Sequence, residues 1–404
     1  MKRTGDLKLM QELNRYLILD VIRKSGPISR VKIAERVGVS PTTVTSAVND
    51  LIEEGFVEEI GSGESSFHGG RKPILLRFCP NNYFLVCVSI SNSAIVLGES
   101  NLDAEISSKQ VYPMNGSLGE AIVEKMLNAL EDFLSRYTDL TRCIGISIVA
   151  PGIIDATQGL LLYNTKLYLH NVDVKGIVEE RFGLNVWFDN DANALVLAER
   201  DLGQAQSTDN VLFVTIGDGI GAGAIVNGSV FRGSKGGAGE FGHITIDRNG
   251  IRCECGNAGC LENYVSWPSI YAKIYASIVR GIPTVISDLI QGDLNRITPE
   301  VYLTALEQHD KVATEILEET ADYLATGLVT LTNMFNPSAI ILGGELFQGN
   351  HYFLERVSEQ VLKNALNILN DDLIIRFTSL GEDDKLLGAA AVALNDVFHF
   401  SLSA

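Results

Sequence analysis

The chain has 404 residues, of which 46% are hydrophobic and 20% are charged, and its formal net charge is −18. This length and composition predict a globular protein of two or three packed units with a sizeable core. No apolar run reaches the roughly 20 residues that a membrane-spanning helix needs, and no apolar signal-peptide stretch follows the polar residues 1–6. We therefore expect a cytoplasmic protein that does not engage a membrane.

The acidic charge is unevenly distributed along the chain. Residues 1–80 carry 12 Lys and Arg against 10 Asp and Glu, so that residues 81–404 hold the remaining 20 against 40. A net negative body repels nucleic acid, so any affinity for DNA phosphates has to come from the first segment.

The first segment has the pattern of a helix-turn-helix. Apolar residues recur at helical spacing over residues 14–24. Ser29 stands in a cap position and predicts a second helix over 30–37, and Ser40 before a proline predicts a third helix over 42–54.

The exposed face of the predicted third helix carries short polar side chains. Such groups can reach base edges and phosphates in a major groove. The candidates for DNA contact on this face are Ser40, Thr42, Thr43, Thr45, Ser46 and Asn49. Helix starts rich in Ser and Thr are also common caps, and helix-turn-helix units also bind proteins, so the interpretation depends on the residues that follow.

A hairpin follows the third predicted helix. Short strands are predicted over residues 57–60 and 74–78, and the segment between them is rich in Gly and Ser. Arg71 and Lys72 in this segment place two cations on an extended backbone before Pro73, which suits a narrow minor groove. For the stretch Gly70-Arg71-Lys72-Pro73 alone, two solvated charges in a loop are an equally good explanation. The hairpin itself predicts the wing of a winged helix-turn-helix.

After residue 80, strand-like and helical segments alternate. Strands are predicted over residues 84–90, 94–97, 143–149, 211–216 and 339–342, and a helix is predicted over 119–137. This alternation predicts an α/β body. Glycine-rich turns at 217–223 and 343–344 could let the backbone approach a ligand, although glycine turns without ligands are more common.

One cluster of metal-ligating residues stands out in the body. His243, Cys253, Cys255 and Cys260 have the donor types of a Cys₃His zinc site. The other three cysteines are isolated in sequence, which argues against a disulfide framework and for a reducing compartment. Four protein ligands leave no open position on the metal, so we expect a structural zinc ion in a knuckle at about residues 243–262.

Two pairs of polar residues predict a sugar site near this knuckle. Glu240 precedes His243 by three residues and Glu262 follows Cys260 by two, so the metal would bring both carboxylates together. Carboxylate oxygens suit sugar hydroxyls because they accept strong, directional hydrogen bonds. Asn190 and Asp191 follow a strand predicted over 186–188 and could add to the site, although such a cluster alone is more often a helix cap.

These motifs together resemble the ROK family of repressors, open reading frames and kinases, and in particular its repressor branch. The matching stretches lie in order along nearly the whole chain, at residues 151–155, 190–193, 237–243 and 253–262. The resemblance implies a winged helix-turn-helix at 1–80 and a two-lobed, actin-like sugar-kinase fold at 81–404. It implies a sugar held by Asn190, Asp191, Glu240, His243 and Glu262, and zinc held by His243, Cys253, Cys255 and Cys260.

The chain departs from the kinases of this family at the first phosphate loop. The kinases have an Asp-Gly-Gly-Thr turn there, whereas this chain has Ser89-Ile90-Ser91-Asn92-Ser93. Without the glycines the backbone cannot wrap the phosphates, and the carboxylate that organises Mg²⁺ is missing. Asp191 matches the general base of the kinases and is retained. We therefore expect sugar binding without phosphoryl transfer, and the remaining glycine turns leave weak ATP binding open.

The sequence thus predicts a sugar-responsive repressor of carbohydrate-metabolism genes. Helix-turn-helix proteins read two half-sites, so operator DNA and a homodimer or homotetramer are expected. The overall resemblance is closest to the family's xylose-responsive repressors, with glucose, N-acetylglucosamine or their phosphates as open alternatives. Two other functions compete with this prediction: a sugar kinase with a DNA-binding appendage, and a scaffold whose cleft binds a partner protein.

Overall fold

The structure is a computed structural model that describes residues 7–62, 72–205 and 208–398. Its first part, here called the head, contains α1 (Leu7–Ser25), β1 (Ile28–Ser29), α2 (Arg30–Val37), α3 (Pro41–Glu53), β2 (Val57–Ser62) and β3 (Ile74–Phe78). The three helices confirm the prediction, although α1 begins seven residues earlier than predicted. The two-residue β1, which was not predicted, pairs with β3 in a three-stranded sheet of order β1-β3-β2.

Local capping explains where α2 and α3 begin. The Ser29 side chain accepts a hydrogen bond from the Lys32 amide, and Gly38 ends α2 in the left-handed conformation that glycine adopts without strain. The Ser40 side chain accepts from the Thr43 amide, with Pro41 at the first position of α3. Both caps were predicted from the sequence.

The part that follows the head, here called the first lobe, contains a mixed sheet and a small antiparallel sheet. Its elements are β4 (Phe84–Ile90), β5 (Ala94–Asn101), β6 (Ile106–Pro113), α4 (Glu120–Leu134), β7 (Cys143–Ala150), β8 (Ile153–Asp155), β9 (Leu160–Asn164), β10 (Leu169–Asp173), α5 (Val174–Phe182), β11 (Val186–Asn190) and α6 (Asp191–Asp201). The main sheet has the order β11-β7-β4-β5-β6, and β11, β7 and β4 run parallel. Strands β4 and β7 are buried along almost their whole length, as expected for a sheet covered on both faces.

The remaining part of the chain, here called the second lobe, is built on another five-stranded sheet of order β14-β13-β12-β15-β16. Its elements are β12 (Val211–Ile216), β13 (Ile220–Val226), β14 (Ser229–Val230), α7 (Glu262–Val265), α8 (Trp267–Val279), α9 (Val285–Leu289), α10 (Pro299–Glu307), α11 (Lys311–Phe335), β15 (Ala339–Gly343), α12 (His351–Asn364), β16 (Ile374–Phe377) and α13 (Asp384–Phe398). The long helix α11 buries Leu317, Ala321, Leu324 and Leu328, which lie on one helical face. This stripe forms much of the core of the lobe.

The last helix, α13, leaves the second lobe and packs on the first. It lies against α6 and against strands β4 and β7. Its end also contacts the head, where the Phe398 ring packs edge-on against Phe78, with 5.8 Å between the ring centroids. The apolar core of the head is therefore continuous with that of α13 and the first lobe.

The predicted combination of a winged helix-turn-helix and an α/β body is confirmed. The carboxyl end of β11, the turn between β12 and β13, and the end of β15 converge on one cavity between the two lobes. Over the described ranges, no helix has the length and apolarity that a membrane span requires.

Candidate DNA-contact face, metal centre and ligand cleft

Helix α3 presents a polar face to solvent. Thr42, Thr45, Ser46 and Asn49 are exposed on it, and Val44, Ala47, Val48 and Leu51 lie buried on the opposite face. Ser40 and Thr43 are partly committed to the helix start, because their hydroxyl oxygens lie 2.8 Å apart and Ser40 accepts the Thr43 amide. The amphipathic division of α3 thus leaves Thr42, Thr45, Ser46 and Asn49 exposed to solvent, although the Thr45 hydroxyl also donates to the Pro41 carbonyl at 2.8 Å.

A cation that the sequence prediction missed lies beside this face. Arg30, at the start of α2, donates to the Asn49 side-chain oxygen at 3.4 Å and pairs with Glu59 at 2.9 Å. Of the two predicted wing cations, Lys72 is exposed just before β3, and Arg71 lies outside the described residues. Arg30 and Asn49 are 19 residues apart, so only the fold brings them together.

The four predicted metal ligands meet at one point. One ligand atom from each of His243, Cys253, Cys255 and Cys260 lies within 4.8 Å of the others. The Cys255 and Cys260 sulfurs are 3.7 Å apart, and the Cys253 sulfur is 3.7 Å from His243 Nδ1. Tetrahedral zinc with Zn–S bonds of about 2.3 Å separates its ligand atoms by about 3.5 to 3.8 Å, so this cluster could bind a metal such as zinc.

A glycine turn makes this arrangement possible. Gly259 has a φ of +70°, and a Cβ at this position would lie 1.6 Å from the Asp247 carbonyl oxygen. Residues before and after this point pair as isolated bridges, Thr245 with Cys260 and Arg252 with Ala258. The compact loop therefore requires glycine next to Cys260.

His243 links the metal cluster to the cleft between the lobes. Its Nδ1 faces the Cys253 sulfur, whereas its Nε2 lies 3.9 Å from a carboxylate oxygen of Glu240. A metal-bound histidine is commonly oriented by a hydrogen-bond acceptor at its second nitrogen. The ring can thus serve the metal on one side and orient polar groups of the cleft on the other.

The five predicted sugar-site residues all line one cavity of about 570 Å³. Asn190 caps α6, because its side-chain oxygen accepts the Ala192 and Asn193 amides while its amide group donates to the Gly152 carbonyl at 3.0 Å. Asp191 follows as the first residue of that helix. The cap interpretation and the site interpretation of this pair are therefore compatible.

The Glu262 carboxylate is held in the cavity by contacts to both of its oxygens. Its side chain is 17% exposed, and its Oε2 accepts the Ile220 amide at 3.1 Å. Lys166 Nζ lies 3.5 Å from its Oε1. One oxygen is thus held by backbone, and the other faces a cation.

Burial shifts the ionisation of two cleft carboxyls. Burial raises the pKa of Asp191 above its ordinary value, and the charge of Lys385 opposes this effect. Burial also raises the pKa of Glu240, against an opposite effect of His243, although the end of the side chain opens into the cleft. Carboxyl groups in such surroundings are common at functional sites.

The part of the cleft near residues 89–93 is lined by polar side chains from both ends of the body. The Ser91 hydroxyl bonds to both backbone groups of Ala94, at 2.9 and 3.1 Å. Asp384 and Lys385, at the start of α13, also line the cavity, and the Asp384 carboxylate accepts the Lys385 amide at 2.6 Å. Gly344 has a φ of +100°, and a Cβ there would lie 2.1 Å from the Ile216 carbonyl oxygen, so strand packing already requires this glycine.

Three basic residues in or near the cleft were not predicted from the sequence. Lys166, Arg232 and Lys385 all lie at or near the predicted sugar residues, and none belongs to a motif with recognisable spacing. Arg232 pairs with Asp189, 43 residues earlier in the chain. Local sequence carries no signal for contacts of this kind.

Comparisons with known proteins agree with this geometry. The model of the ROK family matches residues 86–396, and a model of winged helix-turn-helix DNA-binding domains matches residues 12–58. The chain is 30% identical over 398 residues to the xylose repressor of Caldicellulosiruptor bescii, with 98% of this chain and 99% of that protein covered.

Solved structures resemble this chain both over nearly its full length and over most of its length. A crystal structure of a ROK family transcriptional regulator, homologous to the Escherichia coli MLC protein, superposes with a TM-score of 0.84 at 25% identity over 96% of this chain and 97% of that one. A ROK family glucokinase from Streptomyces griseus, in complex with glucose and AMPPNP, superposes with a TM-score of 0.65 at 29% identity over 76% of this chain and 98% of that one. The chain therefore belongs to the ROK family and carries a winged helix-turn-helix at its amino-terminal end.

Proposed function

We propose that this protein is a transcriptional repressor that binds operator DNA through residues 1–80 and a sugar through the cleft of residues 81–404. The observation that carries the proposal is the presence, on one chain, of the exposed polar face of α3 and of a cleft lined by five sugar-compatible side chains. The full-length similarity to a xylose repressor supports the same combination.

The sugar would be held by Asn190, Asp191, Glu240, His243 and Glu262, which line the cavity together. Carboxylates accept the hydroxyl protons of a sugar, and the amide of Asn190 offers both a donor and an acceptor. Xylose is the proposed effector because of the named relative. Glucose, N-acetylglucosamine and their phosphates are the alternatives that the experiment below has to separate.

Zinc would be structural in this proposal. His243, Cys253, Cys255 and Cys260 would supply all four ligands, so the ion would carry no reactive water. Its contribution would be to fix the loop that presents His243 to the cleft and Glu262 at the start of α7. A closed tetrahedral site commonly contributes folding free energy in this way.

Contacts to DNA would come from Thr42, Thr45, Ser46 and Asn49, with Ser40 and Thr43 at the helix start and Arg71 and Lys72 in the wing. A single head offers a small surface, and helix-turn-helix proteins bind half-sites about one helical turn apart. We therefore propose a homodimer or homotetramer. Unequal sugar binding by the open and closed cleft would move the heads relative to the half-site spacing.

A sugar kinase is the second candidate, because Asp191 lies in the cleft and the glucokinase similarity covers 76% of this chain. We favour loss of phosphoryl transfer, since residues 89–93 lack glycines and an acidic residue. The Ser91 side chain is also engaged in its own turn.

Thermal-shift screening of the purified protein tests this proposal. The panel contains xylose, glucose, N-acetylglucosamine and their phosphates, each with and without Mg-ATP, and Asp191→Asn serves as the comparison variant. A sugar that raises the melting temperature without ATP and leaves no phosphorylated product supports the repressor. Asp191-dependent conversion of ATP and sugar to product would establish the kinase, and no response to any sugar would favour the scaffold.

A further inference from the structure

Lys166 bridges the cleft between the lobes. Lys166 lies in the loop between β9 and β10 of the first lobe, and its Nζ donates to the Asp218 carbonyl oxygen at 2.8 Å. Asp218 belongs to the turn between β12 and β13 of the second lobe. The same ammonium lies 3.5 Å from Glu262 Oε1, which also belongs to the second lobe.

The base of this lysine is held firmly on the first lobe. The Asn164 side chain, 6% exposed, accepts the Leu167 amide at 2.8 Å and donates to the Pro151 carbonyl at 2.7 Å. These two bonds fix the loop on either side of Lys166. The backbone at Lys166 therefore moves with the first lobe.

The ammonium retains donor capacity that faces the cavity. Lysine has three N–H donors, of which one is used by the Asp218 carbonyl. The 3.5 Å separation from Glu262 is at the outer limit of a hydrogen bond, so the attraction there is mainly between charges. Glu262 in turn uses Oε2 for the Ile220 amide and keeps Oε1 as an acceptor.

A donor and an acceptor thus lie side by side on one wall of the cavity. Two neighbouring hydroxyls of a sugar match this pair, since one hydroxyl oxygen can accept from Lys166 while the next hydroxyl donates to Glu262. The two groups come from different lobes. Only a cleft with its lobes together presents both at once.

We propose that Lys166 is a sugar-binding residue that couples sugar binding to closure of the cleft. The inference rests on the proposed function, because it takes the cleft as the sugar site. The sugar completes its contacts only while the Lys166 loop lies against the turn at Asp218. A ligand with different affinity for two arrangements shifts the population towards the one it prefers.

Lys175 provides a matched control on the same lobe. Its side chain is 34% exposed, against 33% for Lys166, and it pairs with Glu179 at 3.6 Å, against 3.5 Å for Lys166 and Glu262. Lys175 lies on α5 and makes no contribution to the described cavity lining. Lys166→Met and Lys175→Met therefore remove the same charge in similar surroundings, once inside and once outside the cleft.

Calorimetric titration of the full-length, zinc-loaded protein with xylose, glucose and N-acetylglucosamine in turn tests the inference. Lys166→Met should weaken sugar binding at least tenfold, Lys166→Arg should recover part of it, and Lys175→Met should bind like the wild type. Small-angle X-ray scattering should show a sugar-induced decrease in the radius of gyration for the wild type and for Lys175→Met, but not for Lys166→Met. Wild-type affinity and compaction in Lys166→Met would overturn the inference.

The proposed function and this inference fail in different ways. If the wild type binds no sugar in the panel, the proposed function is wrong. The cross-cleft role of Lys166 then still has a test, because Lys166→Met without any ligand should have a larger radius of gyration than the wild type and Lys175→Met. Equal dimensions of all three proteins would overturn it.

Discussion

The ion pair between Arg232 and Asp189 joins the two lobes next to the sugar-site residues. Arg232 follows β14 of the second lobe, and its Nε and Nη2 both donate to Asp189 Oδ2, the former at 3.1 Å. Asp189, on β11 of the first lobe, is only 1% exposed and directly precedes Asn190 and Asp191. The substitution Arg232→Met should leave the Asp189 carboxylate buried without a counter-charge.

The structure sets the size of the expected effect. Removing one partner of a buried ion pair costs about 3 to 5 kcal/mol. Because the Arg232 side chain is 34% exposed and water can reach the site, we expect the lower end or somewhat less, about 2 to 3 kcal/mol. An unfolding entropy of about 2.1 cal/mol/K per residue over a body of roughly 320 residues converts this to a melting temperature lower by about 3 to 5 °C.

Differential scanning calorimetry at neutral pH measures this change, and a double variant identifies its cause. Adding Asp189→Asn to Arg232→Met should restore part of the stability, because the uncompensated charge is gone. In the wild type, Asp189 Oδ1 accepts the Asn190 amide at 2.8 Å, and the side-chain oxygen of an asparagine can accept the same bond. Arg181→Met removes an exposed ion pair with Glu131 and should change the stability by less than about 1 kcal/mol. If the effects of the two substitutions at 189 and 232 simply add, the reasoning about a buried pair is refuted.

Three further predictions concern the wing, the metal and the partly buried Asp384 carboxyl at the start of α13. Replacing Arg71 and Lys72 together with Ala should lower the slope of log K against log salt for operator binding by up to about 2, and an unchanged slope would remove the wing from the interface. Cys255→Ser should lose zinc, measured by metal analysis, and with it sugar affinity, since the ring that aligns Glu262 opens; sugar binding by the zinc-free variant would contradict the coupling. Burial raises the pKa of Asp384 above the ordinary value of 3.8, so its ionised form destabilises the fold at neutral pH, and the cost disappears as the pH falls to that ordinary value. Asp384→Asn should therefore raise the melting temperature at pH 7, with a gain that vanishes near pH 4; a gain of equal size at both pH values would contradict this.

The features that the sequence predicted well are those with local causes. Ser29 and Ser40 mark their helices because a short polar side chain caps the helix from the adjacent residue. The metal cluster was predictable because three of its four ligands lie within eight residues, at positions 253, 255 and 260, around a tight glycine turn. The predicted bounds of α2 and of strands β4 and β12 agree with the structure, because local sequence patterns also determine where these elements begin and end.

The missed features depend on contacts between distant parts of the chain. The small sheet of β8, β9 and β10 consists of short strands, and β10 has one buried residue in five, so it shows little alternation of apolar and polar positions. Helix α13 was not predicted to return to the first lobe, because its small apolar residues could pack on either sheet. Lys166 reaches residues 52 and 96 positions later in the chain, and no local pattern records such a contact.

The most direct test of the central claim is operator binding measured with and without sugar. Operator fragments selected by the protein from random DNA are labelled, and their fluorescence anisotropy is titrated with the protein in the absence of ATP. For a sugar-responsive repressor, one free sugar should change the Kd for the operator by about 5- to 150-fold, which is the usual range of allosteric coupling. An operator Kd that no sugar changes, together with formation of a phosphorylated sugar when Mg-ATP is added, would contradict it.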